Sequence, residues 1–304
     1  MPTAQATRAL EAVRRYIGRW GLIIALLIMP VAFGIHDLTS GYQNGFVHGH
    51  AVINHDLSRL GQNMFEGVSD GAIWALIAIG YTLVYGIIEL INFAHGDVFM
   101  IGSFVGAGFW GSIGLGLSTG LLGLVLGLLL TLIVCMVVCG SLNVLIERVA
   151  YRPLRAAPKL APLITAVGFS FILQNVGLLW LGGSQQSVND LIGSANTLFH
   201  ISGITISRGY VLAIGVMIPL VFALAWFING TRAGKAMRAT AQDPEAARLM
   251  GINVDWTISL TFLIGGALAG AAGLVYALYE TTIWYLQGFE AGLIAFTAAV
   301  MGGI

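Results

Sequence analysis

The sequence predicts an all-α fold, a polytopic membrane bundle of about eight transmembrane segments with the last cut short. Three observations predict it. Of 304 residues, 57% are hydrophobic and only 9% charged, against about 25% charged in a soluble domain, and mean hydropathy is +0.87. The apolar residues fall in long runs, most of them near the ~20 residues that cross a bilayer. The cations are sided: with the N-terminus inside, residues 1–19, 92–97, 147–160 and 230–255 hold twelve of the fourteen Lys and Arg residues, leaving only Arg59 and Arg208 outside. That is the positive-inside bias of a correctly counted set of spans.

Taken in order, residues 1–61 read as an N-terminal extension. Arg8, Arg14, Arg15 and Arg19 precede a short apolar run, 20–35, interrupted by Pro30. No small-residue cleavage site follows it, so a retained signal anchor is favoured over a cleaved signal peptide. Residues 36–68 read as a polar external loop. It holds His36, His48, His50 and His55, but no zinc-ligand spacing repeats, so no metal site is expected.

Residues 62–304 read as the transmembrane domain. The second span is 69–91. Asn92-Phe93-Ala94-His95-Gly96-Asp97 is a polar break, read as a cytoplasmic elbow in which Asn92 and His95 satisfy backbone groups and Asp97 caps the next helix. A gating or substrate-contacting His95 is the sharper version of that reading. The third span runs from about 98 to 113, a turn occupies 114–119 and an apolar run follows at 120–146. The basic segment 147–160 reads as a topology determinant and anionic-lipid contact. The fifth to seventh spans are 161–181, 209–229 and 256–279, with a polar loop at 182–208. The run 291–304 is too short to cross, so the sequence is expected to be a fragment ending inside an element. Gly102/Gly106, Gly123/Gly127 and Gly266/Gly270, each four apart, predict close helix packing.

The polar island 231–252, TRAGKAMRATAQDPEAARLMGI, is punctuated as a short helix. Asp243 caps, Pro244 fits the first position, Glu245 suits the positive helix end, and Gly251 closes in a left-handed conformation. Such a stiff element between two spans suits a loop that receives a push from a soluble partner, and equally a well-capped surface loop.

Catalytic chemistry is not expected. HExxH, GxSxG and the phosphate-binding GxxxxGK[ST] are all absent. No cofactor is implied, and zero net charge makes no case for nucleic acid. Cys135 and Cys139, within one apolar run, read as packing residues. The acids near the spans, Glu89 and Glu280, fall at their ends, which disfavours a proton- or sodium-coupled carrier.

Three separated strings carry a family resemblance. GAIWALIAIGYTLVYGIIELINFAHGDVFMIGSF (71–104), IERVAYRPLRAAPKLAPLITAVGFSFILQN (146–175) and TRAGKAMRATAQDPEAARLMGIN (231–253), the last followed by AFTAAVMGGI (295–304), resemble permease subunits of branched-chain amino acid ABC importers. INFAHG (91–96) resembles the first strong motif of one of the two paired permease types. The resemblance implies a multi-pass protein of the bacterial inner membrane with a cytoplasmic N-terminus. It implies a second homologous permease, two cytoplasmic ATPase subunits and a periplasmic substrate-binding protein as partners, besides the lipid bilayer. By the same resemblance, Asp243, Glu245, Ala246, Ala247 and Gly251 form the ATPase-coupling loop, with the small alanines allowing close approach. Family members usually begin just before Gly71 and continue past GGI, so residues 1–61 are extra and later segments are missing. A urea or short-amide ABC permease is the near alternative; a stand-alone carrier or channel is the alternative from another class.

Overall fold

The computed structural model describes residues 21, 27–47, 50–116, 119–155, 157–158, 160–194, 196–201 and 204–303. The basic N-terminal segment, the first half of the signal-anchor run except Gly21, His48 and Lys159 lie outside these residues. The chain forms two compact units: the described parts of Met1–Glu66 with Phe199–Thr205, and Gly67–Leu198 with Ile206–Ile304.

In the first unit, helix α1 (Leu27–Thr39) is followed by an antiparallel hairpin of β1 (Tyr42–Val47) and β2 (His50–Asn54). The hairpin and the following helix start replace the expected polar loop 36–68. Helix α2 begins at Ser58, not at residue 69, and runs to Ile88. Its start is fixed by Asp56, whose carboxylate accepts the Ser58 amide at 3.0 Å and bonds the Ser58 hydroxyl. Arg59 pairs with the buried Asp37 and lies 4.9 Å from the Tyr42 ring centre. These local anchors let helix continue through residues too polar to read as a span.

The second unit continues α2 and adds α3 (Ala94–Ser112), α4 (Leu121–Ile146), α5 (Leu160–Leu181), α6 (Arg208–Gly230), α7 (Arg232–Gln242), α8 (Pro244–Leu249), α9 (Val254–Glu280) and α10 (Gln287–Gly302). Among the described residues, α2, α4 with its extension to Leu154, α5, α6 and α9 are long and apolar enough to cross a membrane. Strand β3 (Gln186–Ser187) pairs antiparallel with a later strand, Thr282–Ile283; β4 (Thr197–Ile201) and β5 (Ile204–Ser207), which pair with each other before α6, belong in part to the first unit.

Helix α9 is the hub. Of its most apolar stretch 72% is buried, against 6% for α6, which leaves α6 with Phe222 and Trp226 outward as a peripheral helix. Glycine makes the hub possible. A Cβ on Gly266 would lie 2.5 Å from the Cys139 carbonyl of α4, and one on Gly273 would lie 2.7 Å from the Ser103 amide of α3. In lipid, where no hydrophobic push joins helices, such backbone-to-backbone approach is the main source of attraction. Gly102 likewise abuts Gly270, whereas the nearest neighbours of Gly123 and Gly127 are Thr119 and Leu115 of the preceding turn. Cys135 and Cys139 are free and buried, their thiols directed at the Gly102 and Val98 carbonyls, as packing residues should be.

Candidate functional site

The polar island folds as two short helices. Thr231 caps α7, accepting the Gly234 amide at 3.0 Å. Asp243 then caps α8: its Oδ1 accepts the Glu245 and Ala246 amides at 2.9 and 3.0 Å. Pro244 occupies the first turn, Glu245 lies beside the positive end, and Gly251 leaves at φ +83° while its amide donates to the Arg248 carbonyl at 3.0 Å. The six-residue α8 is thus closed at both ends by its own sequence. Its faces differ. Ala247 is 3% exposed and turned inward, whereas Leu249 and Met250 are 89% and 82% exposed. Of the five residues expected at this loop, Asp243 and Gly251 fix its shape, Glu245 and Ala246 are exposed, and Ala247 joins the core. The sequence offers Leu249 and Met250 as part of a small apolar face; the structure turns both outward as an exposed tip.

The elbow departs from its sequence reading. Helix α3 starts at Ala94, with Phe93 at the cap position and no side-chain cap bond. Asp97 is therefore inside the first turn, fully buried, and accepts a hydrogen bond from Ser170 of α5 at 2.5 Å; Gln174 donates to the same hydroxyl at 3.0 Å. The His95 ring lies against the Ile77 carbonyl and edge-on to Tyr81, with centroids 4.8 Å apart, wedged where α2 and α9 meet at Gly80 and Gly265. Asn92 does anchor the turn: its amide donates to Asn143 at 3.2 Å, and Asn143 donates to the Phe262 carbonyl of α9 at 2.7 Å. Asp97, in the first turn of α3, and Glu147, just past the end of α4, are both acids at helix ends and both fully buried.

The basic segment also makes ion pairs within the bundle. Helix α4 continues through a π turn, Glu147–Tyr151, and a short 3₁₀ turn, Arg152–Leu154. Glu147 bonds Arg155 and accepts from Ser259 at 2.8 Å. Arg155 and Arg152 both reach Asp255, at 2.5 and 3.1 Å. Two of the four cations thus clamp the end of α4 to the start of α9. Glu147→Ala strands Ser259 and removes one of two partners of Arg155. Breaking a fully buried pair costs roughly 3–5 kcal/mol; Asp255 and partial hydration of Arg155 reduce this to about 2 kcal/mol. The expected result is a lower melting temperature of the purified protein, with Glu147→Gln retaining most of the stability.

A family model described as the permease component of branched-chain amino acid transport systems matches residues 63–304. The chain belongs to this permease family. It is 42% identical over 246 residues to the high-affinity branched-chain amino acid transport system permease protein BraD of Pseudomonas aeruginosa, covering 80% of this chain and 79% of the relative. The LivH permease protein of Escherichia coli gives the same identity and coverage. A probable LivH of Methanocaldococcus jannaschii is 28% identical over 260 residues, covering 82% of this chain and 76% of that one. No solved structure matches. The permease is a transport component with a helical membrane fold, and α8 with the elbow is its candidate site.

Proposed function

We propose that this permease is the membrane-spanning subunit of an ATP-driven importer for leucine, isoleucine and valine, receiving substrate from a periplasmic binding protein. A second homologous permease completes the pathway, and two cytoplasmic ATPase subunits move it. The observation that carries the coupling role is α8: a lever capped by Asp243, stopped by Gly251 and tipped by the exposed Leu249 and Met250. Its outer surface, Glu245, Ala246, Leu249 and Met250, would dock in an ATPase groove, while Ala247 seats it against the bundle. The names of the 42%-identical relatives support the substrate class. The distribution of Lys and Arg supports a cytoplasmic N-terminus and a cytoplasmic α7–α8. Residues 62–304 then form the permease domain, and residues 1–61 an extension with its own anchor. Asn92, His95 and Asp97 act in this reading as the packed pivot of the elbow.

Reconstituted with its partner subunits, the permease is expected to accumulate radiolabelled leucine only in the presence of ATP and the binding protein. Uptake persisting without the ATPase subunits would instead assign a carrier, and uptake of urea in place of leucine would reassign the substrate class.

A further inference from the structure

Helices α2 and α10 enclose a groove of about 430 Å³, inside the ~300–1,000 Å³ range of small-molecule sites. Gly71, Trp74, Ala75 and Ala78 form much of one wall, with Ala298 and Gly302 opposite. Small side chains keep the space open, and Trp74 gives it an aromatic surface. The Gly71 end is acidic. Asp70, the preceding residue, bonds the Tyr279 hydroxyl. The Trp74 ring lies 6.0 Å from that of Tyr276, and Tyr276 sits in the field of Glu280, Glu290 and Asp70. None of these three acids takes part in an ion pair among the described residues.

An apolar trough walled in part by Trp74 thus lies beside three acids, Asp70, Glu280 and Glu290. A phospholipid tail would fit the trough, but its phosphate would meet three carboxylates. A neighbouring protein helix would use the small residues and leave the acidic end unanswered. An ammonium joined to a compact aliphatic group matches both halves, since carboxylates and aromatic faces attract the cation.

We propose that this groove is the part of the import path that holds the amino-acid substrate, its ammonium toward Asp70 and Glu290 and its aliphatic side chain along Ala75, Ala78 and Ala298. The inference rests on the reading of the permease as an amino-acid importer. It is tested in the complete assembly carrying Ala78→Cys or Ala298→Cys; the native Cys135 and Cys139 are buried and give little background. A water-soluble methanethiosulfonate reagent is expected to label both variants, and leucine at about ten times its Kd should slow labelling about tenfold. Asp70→Asn and Glu290→Gln should raise KM for leucine about three- to tenfold with unchanged membrane levels. Labelling indifferent to leucine, with unaltered KM, overturns the inference. Labelling only by a lipophilic maleimide does so in favour of lipid, and labelling by neither reagent does so in favour of a covering helix. A wild-type assembly that takes up no leucine overturns reading and inference together; wild-type uptake with leucine-insensitive labelling overturns the inference alone.

Discussion

Gly273→Val is expected to yield a permease that reaches the membrane but cannot be recovered as a folded, monodisperse protein. The reason is geometric. A Cβ at position 273 would lie 2.7 Å from the Ser103 amide and 3.0 Å from the Gly102 carbonyl carbon. Those are backbone atoms of α3, so no rotamer change can relieve the clash; the helices must separate. Overpacking a core costs about 1–3 kcal/mol even where side chains can move, and here the whole α3–α9 seam moves with it. That seam carries Phe99, Ser103 and the Gly102–Gly270 contact, all buried. Gly273→Ala should show the same defect more mildly, as a fall in melting temperature on detergent extraction. Gly215→Ala in α6 is the control: nothing lies within 4 Å of its Cβ, so no loss is expected. A Gly273→Val protein melting with the wild type would show that α9 does not need close approach to α3.

The hub was half legible in the sequence. Gly266 and Gly270, four apart, announced one packed face, but Gly273 and Gly265 serve other faces of the same helix, and only the assembled bundle shows which partner each meets. Helix ends were legible where the side chain acts on its own backbone. Asp243, Pro244 and Gly251 are local devices and stand where spacing placed them. The elbow misled for the opposite reason. Asp97 has the residue type of a cap, yet its partner, Ser170, lies 73 positions away on α5. The polar pair Ser170 and Gln174, one turn apart in an apolar helix, was the available signal. The start of α2 was missed because hydropathy marks where a helix enters lipid, whereas Asp56 and Ser58 mark where it begins. Likewise, Arg152 and Arg155 read as topology and lipid-contact residues because their counter-charge, Asp255, lies about a hundred positions along the chain.

The role proposed for α8 makes Gly251→Pro and Glu245→Lys the second large effect: uptake abolished, with insertion and bundle stability preserved. At φ +83° Gly251 adopts a backbone that proline, held near −65°, cannot reach, and proline also removes the amide that closes the helix on Arg248. The chain must then exit α8 in another direction, and Leu249 and Met250 no longer form its tip. Gly251→Ala isolates the conformational part. No atom lies within 4 Å of an added Cβ there, so its cost is the ~1–2 kcal/mol of a left-handed non-glycine residue, and partial uptake should remain. Glu245→Lys leaves the backbone intact but sets a cation at the positive end of α8, costing about 0.3–1 kcal/mol locally. A loss of uptake far beyond that cost would have to arise at a partner surface that recognises the acid. The decisive readout is ATPase activity of the assembled complex: uncoupled variants should hydrolyse ATP without importing leucine, while merely unstable ones should lose both. Normal import by both variants would remove α8 from the transmission path.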